Sequence, residues 1–201
     1  MNLLYIYIKR LIDIILSGLG IILLSPIFLI IALLIKIDSQ GNVFFKQKRV
    51  GKNKTHFNIL KFRTMKSETP SDMPTHLLGN ATSHITNIGN FLRKSSLDEL
   101  PQLINIFKGD MSIVGPRPAL WNQYDLLTER DKFNANDVYP GLTGLAQISG
   151  RDELSIYIKA ELDGDYVLNM GFWMDIKCIL GTVRSVLKRD GIVEGDSKDR
   201  K

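Results

Sequence analysis

An aspartate and a glutamate stand side by side in SSLDELPQL, as Asp98 and Glu99, and neighbouring carboxylates repel each other unless a cation holds them. One reading is a helix capping box, with Ser96 as the cap and Glu99 returning to free backbone N–H groups. As an isolated motif that is the stronger reading. Pro101 weighs against it, because a helix capped at Ser96 would carry proline just past its first turn. A kink, with a new helix starting near Pro101, puts both carboxylates by a helix N-terminus, a place that also favours phosphate. Arg117 is clamped between Pro116 and Pro118 in GPRP, so its backbone loses little freedom when it grips an anion, and its planar fork matches phosphate oxygens. Arg93 and Lys94 precede the acidic pair by about one helical turn, and Lys61 and Arg63 lie in KFRTM. Any one of these is an ordinary surface charge. Together with two carboxylates able to hold Mg²⁺, they suggest a site for a diphosphate. No P-loop, GxGxxG or Ser-His-Asp arrangement competes, and His56, His76 and His84 lack zinc-ligand spacing. His56 is most simply a strand residue.

These groups must be positioned, and the longest element available is apolar. Ile14 to Ile35 carries no charge and as a straight helix would be roughly 33 Å long, enough to cross a bilayer core. A cleaved signal peptide does not fit, since the run is too long and no small-x-small site follows it. Ser25-Pro26 lies at its middle, where proline removes a backbone hydrogen bond and bends the helix. Lys9 and Arg10 precede the segment and a basic stretch follows, so the positive-inside rule pulls both ends to the cytoplasmic side. The expectation is a re-entrant helical hairpin broken at Ser25-Pro26, with a spanning helix as the alternative. From Ser39 to Lys66 there is no Asp or Glu, while Lys46, Lys48, Arg49, Lys52, Lys54, Lys61, Arg63 and Lys66 are all basic. A stretch of that kind beside an apolar helix is drawn to anionic headgroups, which makes the membrane surface the first partner to consider for a chain of net charge +5.

The remainder reads as an α-rich α+β domain. Val43, Phe45, Phe57 and Ile59 alternate around a Gly51-Lys52-Asn53 turn and predict a short β-hairpin. Glu68 to Ser83, rich in polar residues and proline, reads as a mobile loop. Ile85, Ile88, Phe91 and Leu92 recur at helical spacing, as do Leu100, Leu103, Ile104 and Phe107 up to a stop at Gly109. VGPRP and PGLTG should be loops of fixed shape between Val114 and Gly150. Near the end Trp173, Ile176, Ile179, Leu180, Val183, Val186 and Leu187 form one helical stripe, either packed on the core or lying in the headgroup plane as an interfacial helix. Cys178 is the single cysteine; it excludes an internal disulfide and reads as an apolar helix residue. At 201 residues the expected division is an anchor over 1–38 and a catalytic domain over 39–201.

The ordered blocks KRLIDIILS, LLSPIF, QKRVG, KFRTM, LRKSSLDELPQL, GDMSIVGPRP, PGLTGLAQISGR and ELD…Y…FWMDIK resemble the bacterial sugar transferases known as small monotopic phosphoglycosyl transferases, from about Tyr5 to Arg189. The resemblance implies a re-entrant helix broken at Ser25-Pro26 and a catalytic part on the cytoplasmic face of the bacterial plasma membrane. It implies that Asp98 attacks the β-phosphate of a UDP-sugar and releases UMP, that Glu99 is associated with Mg²⁺, and that polyprenyl phosphate then takes the phosphosugar. Lys61, Arg93 and Arg117 match phosphate-binding positions, and Arg151 matches one expected to contact the nucleotide. Asp163 and Asp175 match acidic positions without an assigned role. Leu145 and Ser149 depart from the tryptophan and asparagine common in relatives, so either would alter donor preference if it touched the sugar or base. Two rivals belong to other classes. A non-catalytic membrane scaffold would need the basic patch but not the acidic pair, and a nucleic-acid binder lacks stacking or groove-reading motifs. Nucleic acid is therefore not expected as a partner, and a homo-oligomer is left open.

Overall fold

The computed structural model describes residues 3–69, 81–150 and 153–188. The apolar run is continued at both ends by residues that tolerate helix, and it forms α1, Leu3–Asp38. Its most apolar window has a mean hydropathy of 2.8 and only 11% of that window is buried, so α1 is not the core helix of a soluble protein. By length and composition it is able to cross a membrane. Pro26 lies inside α1. It has no N–H for the carbonyl of Ile22, four residues back, and the Ser25 hydroxyl donates to that carbonyl at 2.8 Å instead. The expected interruption at Ser25-Pro26 is therefore not seen as a gap in the helix, because serine supplies the bond that proline removes.

The strands β1, Phe44–Val50, and β2, His56–Phe62, pair antiparallel from Phe44 opposite Phe62 to Val50 opposite His56, as the alternation predicts. A helical turn α2, Ala81–His84, leads into α3, Asn87–Lys94; the expected mobile loop falls largely on residues 70–80, outside the described residues. After a 3₁₀ turn at Leu97–Glu99 comes α4, Gln102–Lys108, which stops at Gly109 with φ 99°. Then follow β3 (Ser112–Val114), α5 (Tyr124–Asp131), β4 (Gly141–Thr143), α6 (Leu145–Ser149), α7 (Ile156–Leu168) and α8 (Phe172–Lys188). β3 and β4 pair in parallel, so VGPRP and PGLTG are held together at one place.

α1 is bonded to the rest of the protein along both halves. Ile31 and Ile35 join Phe62 and Leu92 in one buried cluster, each such side chain contributing about 1.5–3 kcal/mol when fully buried. Asp38 accepts from the backbone N–H of Ile88 at 3.0 Å, and Arg63 donates to the carbonyls of Ser39 and Gln40, both at 2.7 Å. At the other end Arg10 donates to the carbonyls of Ile106 and Phe107, capping the C-terminus of α4. The buried Asp13 accepts from Ile113 N–H at 3.0 Å, and Asp175 of α8 binds Tyr5 at 2.8 Å and Lys9 at 2.5 Å.

α8 carries its polarity inside out. Asp175 and Cys178 are buried while Trp173, Leu180 and Val183 are exposed, Trp173 by 80%. Of the predicted stripe, Ile179 packs inward and Trp173 does not. Burial pushes the Cys178 thiol up to about 11, in keeping with an inert packing residue.

α3 lies against backbone at Gly89, where an added Cβ would stand 2.0 Å from the carbonyl oxygen of Thr64. Gly89→Ala is expected to lower the thermal midpoint sharply. At Gly171 the nearest atom to an added Cβ is 3.8 Å away, so Gly171→Ala should change stability by less than about 0.5 kcal/mol. Thermal unfolding of the two variants in detergent checks the contrast.

Candidate active site

Ser96 takes the left-handed conformation, φ 55° and ψ 16°, and its side chain makes no cap bond. The capping-box reading is thereby replaced by the kink: the chain reverses at Ser96, makes one 3₁₀ turn, and re-enters helix with Pro101 as the residue before α4. Proline suits that position because its missing N–H would have no helical partner there. Asp98 and Glu99 thus stand on a short turn fixed between two helices.

Their surroundings differ. Oε1 of Glu99 accepts from Lys61 Nζ and from Arg117 Nη2, each at 2.7 Å. Burial pushes the Glu99 carboxyl up, but the charges of Arg117 and Lys61 outweigh it and hold the group well below the usual carboxylate range. Asp98 is buried, and among the described residues its ion-pair partner is Lys61 at 3.8 Å, beyond hydrogen-bonding reach. Burial raises the Asp98 carboxyl to about 6, with Lys61 opposing, the charge of Glu99 adding to the rise, and Arg93 and Arg117 opposing it more weakly. Two adjacent carboxylates with pKa values pushed apart by their environments are suited to two different jobs.

Each cation arrives on its own element. Lys61 comes from β2, opposite Phe45 in the hairpin register. Arg93 comes from the last turn of α3, whose N-terminus is capped by Thr86 and reinforced by Asp38. Arg117 comes from the loop after β3. Arg63 does not join them; it is buried and holds the end of α1. Arg151 lies outside the described residues.

Sequence patterning shows Arg49 only as one of a basic run and does not single it out for the site. Its Nη1 donates to the carbonyl of Pro118 at 3.0 Å and its Nη2 to Gln47 Oε1 at 2.5 Å. Burial and the charge of Arg117 work against its cation, and Glu99 supports it. The alternating register of β1 was the available signal, since it points Lys48 away from the side that Arg49 occupies. Much of the basic stretch has protein partners: Lys48 lies over the Trp121 ring, Lys52 over Tyr139, and Lys54 pairs with Asp131. Leu145 packs with Val114, Tyr166 and Cys178 in a buried cluster, and the Ser149 hydroxyl donates to the carbonyl of Leu145. Leu145 therefore acts on packing behind the GPRP loop.

Among the described residues no three His, Cys, Asp or Glu side chains gather as a metal cluster. Mg²⁺ does not require one, because it is commonly held by one or two carboxylates plus substrate phosphates and water. The donor set fits that pattern: both Asp98 oxygens and the second Glu99 oxygen accept no hydrogen bond among the described residues.

The bacterial sugar transferase family model matches residues 4–189, and the chain belongs to that family. It is 42% identical over 184 residues to the uncharacterized sugar transferase EpsL of Bacillus subtilis, covering 92% of this chain and 89% of that one. It is also 42% identical over 183 residues to the UDP-glucose:undecaprenyl-phosphate glucose-1-phosphate transferase of Escherichia coli, covering 87% of this chain and 39% of that one. A third relative, the UDP-N-acetylgalactosamine-undecaprenyl-phosphate N-acetylgalactosaminephosphotransferase of Aeromonas hydrophila, is 37% identical over 188 residues, 91% of this chain and 44% of its own length. The chain thus spans less than half the length of the last two.

The two carboxylates predict opposite stability effects. Between the ordinary 3.8 and about 6 the folded protein keeps a proton on Asp98 that the unfolded chain has lost, so this group's contribution falls as pH rises through about 6. Asp98→Asn should raise the thermal midpoint at pH 8 and lose that advantage toward pH 4. Glu99 has a depressed pKa, so its contribution is present above the ordinary 4.5 and is lost as pH falls through its folded value. Glu99→Gln should lower the midpoint at pH 8. Thermal scans at both pH values check this, and shifts of the same sign for the two variants at pH 8 would contradict it.

Proposed function

We infer that the protein transfers a sugar 1-phosphate from a UDP-sugar to undecaprenyl phosphate, forming a lipid-linked diphosphate sugar and UMP. What carries this reading is the split environment of the two carboxylates: Glu99 is neutralised by Lys61 and Arg117, while Asp98 has no hydrogen bond among the described residues and keeps its lone pairs for attack. In the first step an Asp98 oxygen bonds to the β-phosphorus and the bond to the bridging oxygen breaks, so UMP leaves with that electron pair. In the second, a phosphate oxygen of the lipid attacks the same phosphorus, the diphosphate forms and the Asp98 carboxylate is released. Mg²⁺ held by the open oxygens of Asp98 and Glu99 together with the diphosphate would supply charge neutralisation. Lys61, Arg93 and Arg117 bring three further positive charges toward the acidic pair. The relatives' names carry both glucose and N-acetylgalactosamine, which supports a UDP-sugar of either kind as donor.

The lipid acceptor requires the site to lie at headgroup depth on the cytoplasmic face of the bacterial plasma membrane. α1 reads as re-entrant, bent at Ser25-Pro26 with both ends on one side. Supporting this, the residues flanking the apolar run at each end bond to the same globular part: Tyr5 and Lys9 to Asp175, Asp38 to Ile88 and the Ser39 carbonyl to Arg63. α8, with Trp173 and Leu180 exposed and Asp175 buried, reads as an interfacial helix lying in the headgroups.

Asp98→Asn is expected to abolish UMP release from UDP-glucose or UDP-N-acetylgalactosamine with undecaprenyl phosphate and Mg²⁺, by at least about 10³-fold, on the scale of other catalytic-group deletions. No release by the unaltered enzyme from any UDP-sugar would favour a scaffold. For the anchor, Tyr7→Cys and Asn42→Cys should both be shielded from an impermeant thiol reagent in intact cells and labelled after lysis; external labelling of Tyr7→Cys would overturn the re-entrant arrangement.

A further inference from the structure

We propose that the buried pair Arg130–Asp163 is a positioning device for Arg117, acting on its backbone and not on substrate. Arg130, in the last turn of α5, donates through Nε and Nη2 to Asp163 Oδ2 of α7 at 2.8 and 2.6 Å. The same Nη2 donates to the backbone carbonyl of Arg117 at 3.0 Å. Arg130 is 5% exposed and Asp163 1%. Burial pushes the Asp163 carboxyl up, against the pull of Arg130, and its Oδ1 is buried with no hydrogen-bond partner among the described residues.

A buried ion pair is a poor source of stability, because desolvation offsets most of its attraction and apolar residues of similar volume do as well or better. One with an unsatisfied oxygen is poorer still. Its geometry has a use, however. Four carbonyls of the loop are taken up: Val114 by the Tyr166 hydroxyl at 3.1 Å, Pro116 by Gly141 N–H at 2.8 Å, Pro118 by Arg49 and Ala119 by Val50 N–H, both at 3.0 Å. Arg130 adds the carbonyl of Arg117 itself. With both flanking φ angles set by proline, fixing the peptide that follows Cα of Arg117 fixes the direction in which its side chain leaves toward Glu99. Asp163 balances the buried charge of Arg130 and keeps its fork aimed, which gives this acidic position a role at one remove from the chemistry.

The proposal rests on Arg117 facing the donor's phosphates. Its test is therefore UDP binding by titration calorimetry of the full chain in detergent with Mg²⁺. Replacing the pair by apolar volume, Arg130→Met with Asp163→Leu, is expected to keep the thermal midpoint and weaken UDP on the order of 10-fold when Arg117 is present, and to have no further effect in an Arg117→Ala background. Arg130→Lys, which keeps the charge but not the fork, carries the same cycle if the double replacement does not fold. Equal losses in both backgrounds, or unchanged UDP affinity with Arg117 present, would overturn the proposal. Failure of the unaltered enzyme to release UMP would count against the transferase and leave this binding cycle intact.

Discussion

Everything in this molecule turns on keeping two carboxylates adjacent in the chain without letting them act alike. Like charges about 4 Å apart repel by roughly 4 kcal/mol at an effective dielectric of about 20, and a turn carrying both would otherwise hold a shared proton. Lys61 and Arg117 remove the conflict by closing on one oxygen of Glu99. That choice leaves Asp98 buried and, among the described residues, with Lys61 at 3.8 Å as its ion-pair partner, a state in which a carboxylate is costly to ionise.

The fold can be understood as the means of delivering those two cations and holding that turn. The hairpin delivers Lys61, and the parallel pairing of β3 with β4 fixes the loop that delivers Arg117. α4 begins at the acidic turn and ends under Arg10 of the apolar helix α1. One seven-residue helix therefore joins the acidic turn to α1. Asp175 makes a second connection of this kind, binding Lys9 and Tyr5 on one side and Tyr166 on the other.

Much of this was legible in the sequence, and what was missed has physical reasons. The hairpin, α4 and its glycine stop are local patterns, and alternation or helical spacing exposes them. The long apolar helix was legible from hydropathy, whereas the continuity of α1 through Pro26 depends on one hydroxyl reaching the Ile22 carbonyl, which composition does not reveal. The kink at Ser96 was legible from Pro101, whereas the two cations that Glu99 finds are distant in sequence. Arg63 and Arg49 show the limits of charge counting: one turned to the end of α1, the other behind Arg117, and only the three-dimensional register separates them. Of the Arg130–Asp163 pair the family resemblance marks Asp163 without a role, and nothing marks Arg130, since the two lie on α5 and α7, far apart in the chain.

The most direct measurement is intact-mass and peptide analysis of enzyme quenched during turnover of a UDP-sugar in the absence of lipid acceptor. The account predicts a mass increase of one sugar phosphate, carried on the peptide containing Asp98 and localised to that side chain. An adduct on Glu99, or turnover at full rate with no adduct at any time of quenching, would contradict it.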